Sequence, residues 1–98
     1  MTVDALVDSG FTASLALPAT VVAALGLARQ SGGKAVLADG STRQFGLYAA
    51  EVAWGDGWRP VLVSAVGDEV LLGMRLLAGH ELRIAVVPRG LVEITPLS

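Results

Sequence analysis

The chain contains no cysteine, only one histidine, and few charged or aromatic residues. Without cysteine it can form no disulfide, and it has no thiolate to act as nucleophile or metal ligand. Charged residues make up 16% of its 98 residues, and the seven Lys and Arg are scattered along the chain. Nucleic acids bind to a concentrated basic face, so no nucleic-acid partner is expected. His80 has no second ligand nearby in the sequence, and we therefore expect no metal and no cofactor.

Long apolar runs and a secretory leader are also missing. Each hydrophobic stretch is interrupted by Asp, Arg, Gly or Pro before it reaches the roughly 20 residues that cross a bilayer. The first residues, Met-Thr-Val-Asp, lack the basic and apolar segments of a signal peptide. The expectation is a soluble protein of the cytoplasm without a membrane partner. A chain of this length is expected to form one domain over residues 1–98.

Aliphatic residues are abundant instead. Hydrophobic residues make up 53% of the chain, and most of them are Val, Leu and Ala. This fraction is high for a small monomer, and large apolar surfaces that stay exposed usually mark an interaction site. We therefore expect a second copy of the chain to cover part of the surface, giving a homodimer.

Turn residues recur every dozen or so positions and divide the chain into short apolar segments typical of strands. The segment 18–25, which begins with Pro18 and is followed by Gly26, predicts a short helix, and 74–79, which ends at Gly79, predicts a second one. Residues 29–33 are predicted to form a polar connection. The predicted strands lie at 2–7, 14–17, 34–38, 42–54, 58–66, 70–73, 81–87 and 91–95. This pattern predicts a mostly-β barrel or sandwich with one or two short helices.

The apolar run from Ala5 ends at Asp8-Ser9-Gly10, which places a carboxylate in a tight turn. Gly10 allows neighbouring backbone to come close, and Ser9 can form a local hydrogen bond. Alone, such a tripeptide is most often an ordinary polar turn. Asp4 lies four residues earlier on the same predicted strand, about 13 Å away, which is too far for a carboxylate pair with Asp8 in one chain.

Three further segments follow this turn: Leu15-Ala16-Leu17-Pro18, Val36-Leu37-Ala38-Asp39-Gly40-Ser41 and Leu71-Leu72-Gly73-Met74-Arg75-Leu76-Leu77. In that order and spacing after Leu6-Val7-Asp8-Ser9-Gly10, they make the chain resemble a retropepsin-like aspartic protease of the bacterial and archaeal type. The resemblance covers nearly the whole chain. It implies a closed retropepsin-like β-barrel with one or two short helices. The N-terminal hairpin of that barrel would be shortened, because only seven residues precede Asp8.

The resemblance also implies an activity, that of an aspartic endopeptidase hydrolysing peptide bonds in extended polypeptides. In such enzymes two carboxylates share one proton, because like charges that close cannot both ionise cheaply. One carboxylate activates a water and the other donates a proton to the substrate carbonyl. This chain has one Asp-Ser/Thr-Gly turn, so Asp8 from each of two subunits would have to meet on a two-fold axis.

Roles for the residues around the turn follow from the same resemblance. Asp8, Ser9 and Gly10 would form the catalytic turn, with the Ser9 hydroxyl holding the two turns rigid across the dimer. The residues expected to contact substrate are Phe11, Thr12 and the hairpin flap Ala38, Asp39, Gly40 and Ser41, and those expected to pack beneath the turn are Leu72 and Gly73. Arg75 departs from the family, in which Asp is frequent at that position, and it would pair with a carboxylate near the site.

Two other interpretations remain open. The chain could be a catalytically inactive retropepsin-like module that binds extended peptides or only dimerises, which the short N-terminal segment favours. It could also be an unrelated small barrel with an incidental Asp-Ser-Gly turn. This interpretation would be supported if the Asp8 turn lay far from Leu72 and Gly73 in the folded chain.

Overall fold

The computed structural model describes residues 2–36 and 39–97. In chain order its elements are β1 (Leu6–Val7), β2 (Leu15–Leu17), α1 (Ala19–Leu25), β3 (Ala28–Val36), β4 (Thr42–Trp54), β5 (Gly57–Ala65), β6 (Leu71–Leu72), α2 (Met74–Leu77), β7 (His80–Ile84) and β8 (Val92–Pro96). The predicted mostly-β class with two short helices is confirmed. Neither helix in the described part of the chain has the length and apolar character needed to cross a membrane.

Six strands form one mixed sheet in the order β1-β6-β2-β5-β4-β3, and β7 and β8 form a separate hairpin. The short strand β6 lies between β1 and β2, parallel to the first and antiparallel to the second. β2 is also parallel to β5. The long strand β4 pairs with β5 on one side and β3 on the other. The sheet thus joins the beginning of the chain to a segment near residue 70.

The strand pairings differ from the expected closed barrel. A barrel requires every strand to have a neighbour on both sides, whereas β1 and β3 each pair on one side only within residues 2–36 and 39–97. β1 contributes only two residues to its ladder, and the hairpin of β7 and β8 pairs with neither edge. The described chain therefore forms an open sheet plus a hairpin.

β3 begins at Ala28, so the prediction of a connection at 29–33 is wrong. The reason is the length of β4, whose 13 residues offer partners well beyond the predicted hairpin. Gly33 pairs with Phe45, and a Cβ at Gly33 would lie 2.7 Å from the Phe45 ring. The glycine that favoured a loop in the sequence therefore makes room for an aromatic ring of the neighbouring strand.

The core lies between α1 and the centre of the sheet. Side chains alternate along a strand, and Leu15, Leu17 and Val63 of β2 and β5 are buried in one cluster with Val22 of α1. This cluster is small. Among the described residues, the large hydrophobic side chains that stay exposed outnumber those that are buried.

The β7–β8 hairpin is attached to the main sheet around His80. The Trp54 indole N–H donates to His80 Nε2 at 3.1 Å, and His80 Nδ1 lies 3.0 Å from the Ala78 carbonyl oxygen. Both contacts are satisfied when the proton is on Nδ1. The two rings meet edge to face, with 5.5 Å between their centroids. The end of β4 and the start of β7 are thereby held together.

Candidate functional site

The Asp8 turn begins where β1 leaves the sheet, beside the end of β6. The Leu6 N–H donates to the Val70 carbonyl oxygen at 2.8 Å, and the Asp8 N–H donates to the Leu72 carbonyl oxygen at 2.9 Å. The parallel ladder of β1 and β6 therefore runs directly into the turn. The turn lies against Leu72, as the resemblance implies, and the large separation that would support an incidental turn is not observed.

Two hydrogen bonds close the turn, and one of them fixes the position of the carboxylate. The Gly10 N–H donates to Asp8 Oδ1 at 2.9 Å, and the Phe11 N–H donates to the Asp8 carbonyl oxygen at 3.1 Å. No side chain or backbone group in the described ranges donates to Oδ2, so this oxygen is able to bind water. A Cβ at Gly10 would lie 3.3 Å from Oδ1. Glycine therefore keeps the backbone close to the carboxylate.

Gly73 is buried directly against the segment that follows the turn. Its N–H donates to the Ser14 carbonyl oxygen at 2.9 Å, and the first two N–H groups of α2 donate to the carbonyl oxygens of Phe11 and Ala13 at 2.8 and 3.2 Å. These bonds satisfy N–H groups that the start of a helix otherwise leaves without partners. A Cβ on Gly73 would overlap the Ala13 carbonyl oxygen and come within 2.7 Å of the Phe11 ring. Only glycine fits at this position.

Ser9, Phe11 and Thr12, which follow Asp8 in the chain, differ in exposure. Phe11 is half-buried, whereas Ser9 and Thr12 are exposed. The Ser9 hydroxyl makes no hydrogen bond to any residue in the described part of the chain. Its contact across a dimer therefore stays a prediction, and its exposure leaves it accessible to a second copy.

The predicted flap is the connection between β3 and β4. Ala38 lies outside the described residues. Asp39, Gly40 and Ser41 form an exposed turn, in which Gly40 has a φ of 85° and the Ser41 N–H and hydroxyl donate to Asp39 Oδ1 at 2.8 and 2.6 Å. In the sheet order, four strands separate β3 from β1. The described residues show no hydrogen bond between this turn and the Asp8 turn, so the structure does not bring them together.

The hydrogen bonds from Ser41, the one from its hydroxyl first, lower the pKa of Asp39 below its ordinary value. This carboxylate therefore adds stability above its ordinary pKa, and the contribution is lost as the pH falls through the lowered value. We expect Ser41→Ala to raise the pKa of Asp39 towards its ordinary range, as measured by NMR titration of the carboxyl carbon. Thr20→Ala, which removes an exposed hydroxyl from α1, is the control. An unchanged titration of Asp39 in the Ser41 variant would contradict this turn geometry.

Arg75 does not form the predicted pair with any carboxylate in residues 2–36 and 39–97. The one salt bridge among the residues that the structure describes joins Arg83 to Glu81 at 3.3 Å, on an exposed surface. Arg75 instead lines a cavity together with Ser14 and Ser64. The sequence holds no signal for this grouping, because the two serines come together only through the pairing of β2 with β5.

In a single chain the Asp8 turn thus presents one carboxylate. Its Oδ1 accepts a hydrogen bond, and its Oδ2 is open to water. Such a group can exchange a proton with water, but acid and base in one site require a second carboxylate. The described residues contain no group of three or more His, Asp or Glu suited to holding a metal. Comparison with protein-family models, with curated proteins and with solved structures finds no match for this chain. Its function must therefore be inferred from the Asp8 turn and the surfaces around it.

Proposed function

We propose that the chain is a retropepsin-like aspartic endopeptidase that acts as a homodimer, with Asp8 of each subunit in the active site. The observation that carries the proposal is the fixed carboxylate of the Asp8 turn. Its Oδ1 accepts the Gly10 N–H, and the turn is held at the end of a parallel strand pair. Oδ2 is left for water or for the carboxylate of the partner.

Peptide hydrolysis by this route needs a base and an acid in one site. Two carboxylates about 3 Å apart share one proton, because ionising both is costly. The ionised carboxylate takes a proton from water, which attacks the carbonyl carbon of the peptide, and the protonated carboxylate donates to the carbonyl oxygen. The two Asp8 side chains would supply both groups.

A second copy of the chain is supported by the apolar surface that the fold leaves exposed. In the described ranges the β7–β8 hairpin pairs with no further strand, and a two-stranded hairpin is only marginally stable alone. Its strands and loop expose Ile84, Val86, Val87, Leu91 and Val92. The edge strand β1, with Leu6 54% exposed, adds unpaired backbone groups beside the Asp8 turn. An isologous contact there would bring the two turns together.

The free edge of the sheet at β3 suits an extended polypeptide as the substrate class. β3 is a nine-residue strand at the free edge of the sheet, ahead of the predicted flap. An extended peptide can add to such an edge through main-chain hydrogen bonds, while pockets select alternate side chains. The retropepsin-like fold is part of the proposal, with the second copy covering the β1 edge that the open sheet leaves unpaired.

The proposal is tested by following the cleavage of an unfolded protein mixture by mass spectrometry from acid to neutral pH, with sedimentation in parallel. The cleavage rate per chain is expected to rise with chain concentration until the dimer saturates, because each site needs two subunits. A rate per chain that stays constant through the dimerisation range would contradict the shared site. Absence of cleavage where sedimentation shows a dimer would favour the catalytically inactive module.

A further inference from the structure

A cavity of about 210 Å³ is lined in part by the segment that follows the Asp8 turn. Its wall begins at Thr12, four residues after Asp8, and it continues with Ser14, Ser64, Arg75, Leu47 and Leu62. Pockets for whole small molecules are usually larger, about 300–1,000 Å³. The volume suits one side chain of a larger ligand.

The sheet places this cavity on the face opposite the core. Val63 of β5 is buried in the core cluster, so its neighbours Leu62 and Ser64 point to the other face. Leu47 of β4 is the cross-strand partner of Ser64 and shares that face. Regular strands, together with the start of α2, therefore hold the cavity wall in place.

The wall carries one positive charge and no negative charge. Arg75 is its charged residue, and Thr12, Ser14 and Ser64 contribute hydroxyls. Ser14 and Ser64 are only 8% and 3% exposed. No side-chain oxygen in the described ranges is both sealed from solvent and without a hydrogen bond, and neither serine hydroxyl bonds to a described residue. Both hydroxyls therefore open onto the cavity, where a hydrogen-bonding ligand would meet them.

An extended peptide cleaved at Asp8 would bring a side chain to this cavity. The Cα atoms of Asp8 and Thr12 lie within about 14 Å of each other, because four residues can span no more. An extended peptide advances about 3.3 Å per residue. A side chain that meets the Thr12 end of the cavity therefore belongs to a residue within about four positions of the scissile bond.

We propose that this cavity is a specificity subsite for an acidic side chain of the substrate, with Arg75 recognising its carboxylate. The inference rests on the proposed function, because a bound polypeptide is what delivers the side chain. A guanidinium binds a carboxylate through two parallel N–H groups, and the serine hydroxyls donate further hydrogen bonds. The chain then prefers Asp or Glu over Asn or Gln at one position near the scissile bond.

A randomised peptide mixture passed over the immobilised Asp8→Asn chain, and read by mass spectrometry, tests the preference without requiring cleavage. We expect Asp or Glu to be enriched about tenfold over the corresponding amide at one internal position, which is the scale of one charged hydrogen bond. Adding Arg75→Gln should abolish this enrichment, Arg75→Lys should retain part of it, and Arg75→Glu should shift it to Lys and Arg. Arg89→Gln removes an exposed charge from a turn and should leave the enrichment unchanged.

The remaining outcomes would each overturn either the acidic subsite or the endopeptidase. An acidic preference that persists in Arg75→Gln, or enrichment confined to the carboxy-terminal residue, would overturn the subsite. Cleavage by the unmodified chain without any acidic preference would overturn the subsite and leave the endopeptidase standing. Enrichment that depends on Arg75, without cleavage at dimeric concentrations, would overturn the endopeptidase and leave an acidic-peptide binding site.

Discussion

The Asp8→Asn variant is expected to cleave polypeptides about 100- to 10,000-fold more slowly than the unmodified chain, which is the range for losing a general acid or base. Asn keeps a side-chain oxygen that can accept the Gly10 N–H, so the turn and the fold should survive. The amide cannot take a proton from water or share one with a partner carboxylate. Cleavage of the same unfolded protein mixture, at the pH of maximal activity, measures the loss. Asp56→Asn changes an exposed turn residue and should retain full activity.

Mixing the two forms tests whether the site is shared between subunits. With free exchange, equal amounts give roughly a quarter of dimers in which both chains carry Asp8. The activity per unmodified chain should then fall to roughly half of its value before mixing. A chain that works alone would show no fall, and that result would contradict the two-carboxylate site.

Gly73→Ala is expected to lower the free energy of unfolding by about 3 kcal/mol, the upper range for forcing an extra group into a packed site. The added Cβ would overlap the Ala13 carbonyl oxygen and lie 2.7 Å from the Phe11 ring. Relief requires the segment after the Asp8 turn to move away, which breaks its hydrogen bonds to the start of α2. Urea unfolding of the two proteins measures the difference.

Gly57→Ala is the matched control for this substitution. Gly57 begins a strand, its φ is not in the left-handed region, and a Cβ there would meet no atom within 4 Å. Its stability should stay within about 0.5 kcal/mol of the unmodified chain. Adding Phe11→Ala, which removes the ring, should not restore the stability lost in Gly73→Ala. The overlap of the new Cβ with the backbone carbonyl of Ala13 remains in the double variant. Unfolding of Gly73→Ala at the same urea concentration as the unmodified chain would contradict the packing described above.

Features that depend on local residues follow well from the sequence. β4 has the predicted bounds of 42–54, because Asp-Gly and Gly-Asp-Gly turns mark both of its ends. α1 ends as predicted at Gly26, whose φ of 64° is the left-handed conformation that glycine adopts without strain. The contact of the Asp8 turn with Leu72 also agrees with the family resemblance.

Features that depend on distant pairing are harder to derive. β1 pairs over two residues and not the six predicted, because its partner β6 offers only two. Sheet closure depends on whether two edges meet, which no local pattern specifies. The surroundings of Arg75 come from the segment just before β2 and from β4, β5 and α2 together. A single sequence places these residues on their elements but cannot bring the elements into contact.

The pairing of Leu6 with Leu71 has a consequence for when the carboxylate reaches its position. About two thirds of the 98 residues lie between these two leucines, and contacts so distant in sequence form slowly because a long loop must close first. A polypeptide still being synthesised has no partner for β1 until β6 has emerged. The Asp8 site is therefore expected to assemble only with the complete sheet. An endopeptidase built this way would be inactive while its own copies are unfolded, which is when they are most easily cleaved.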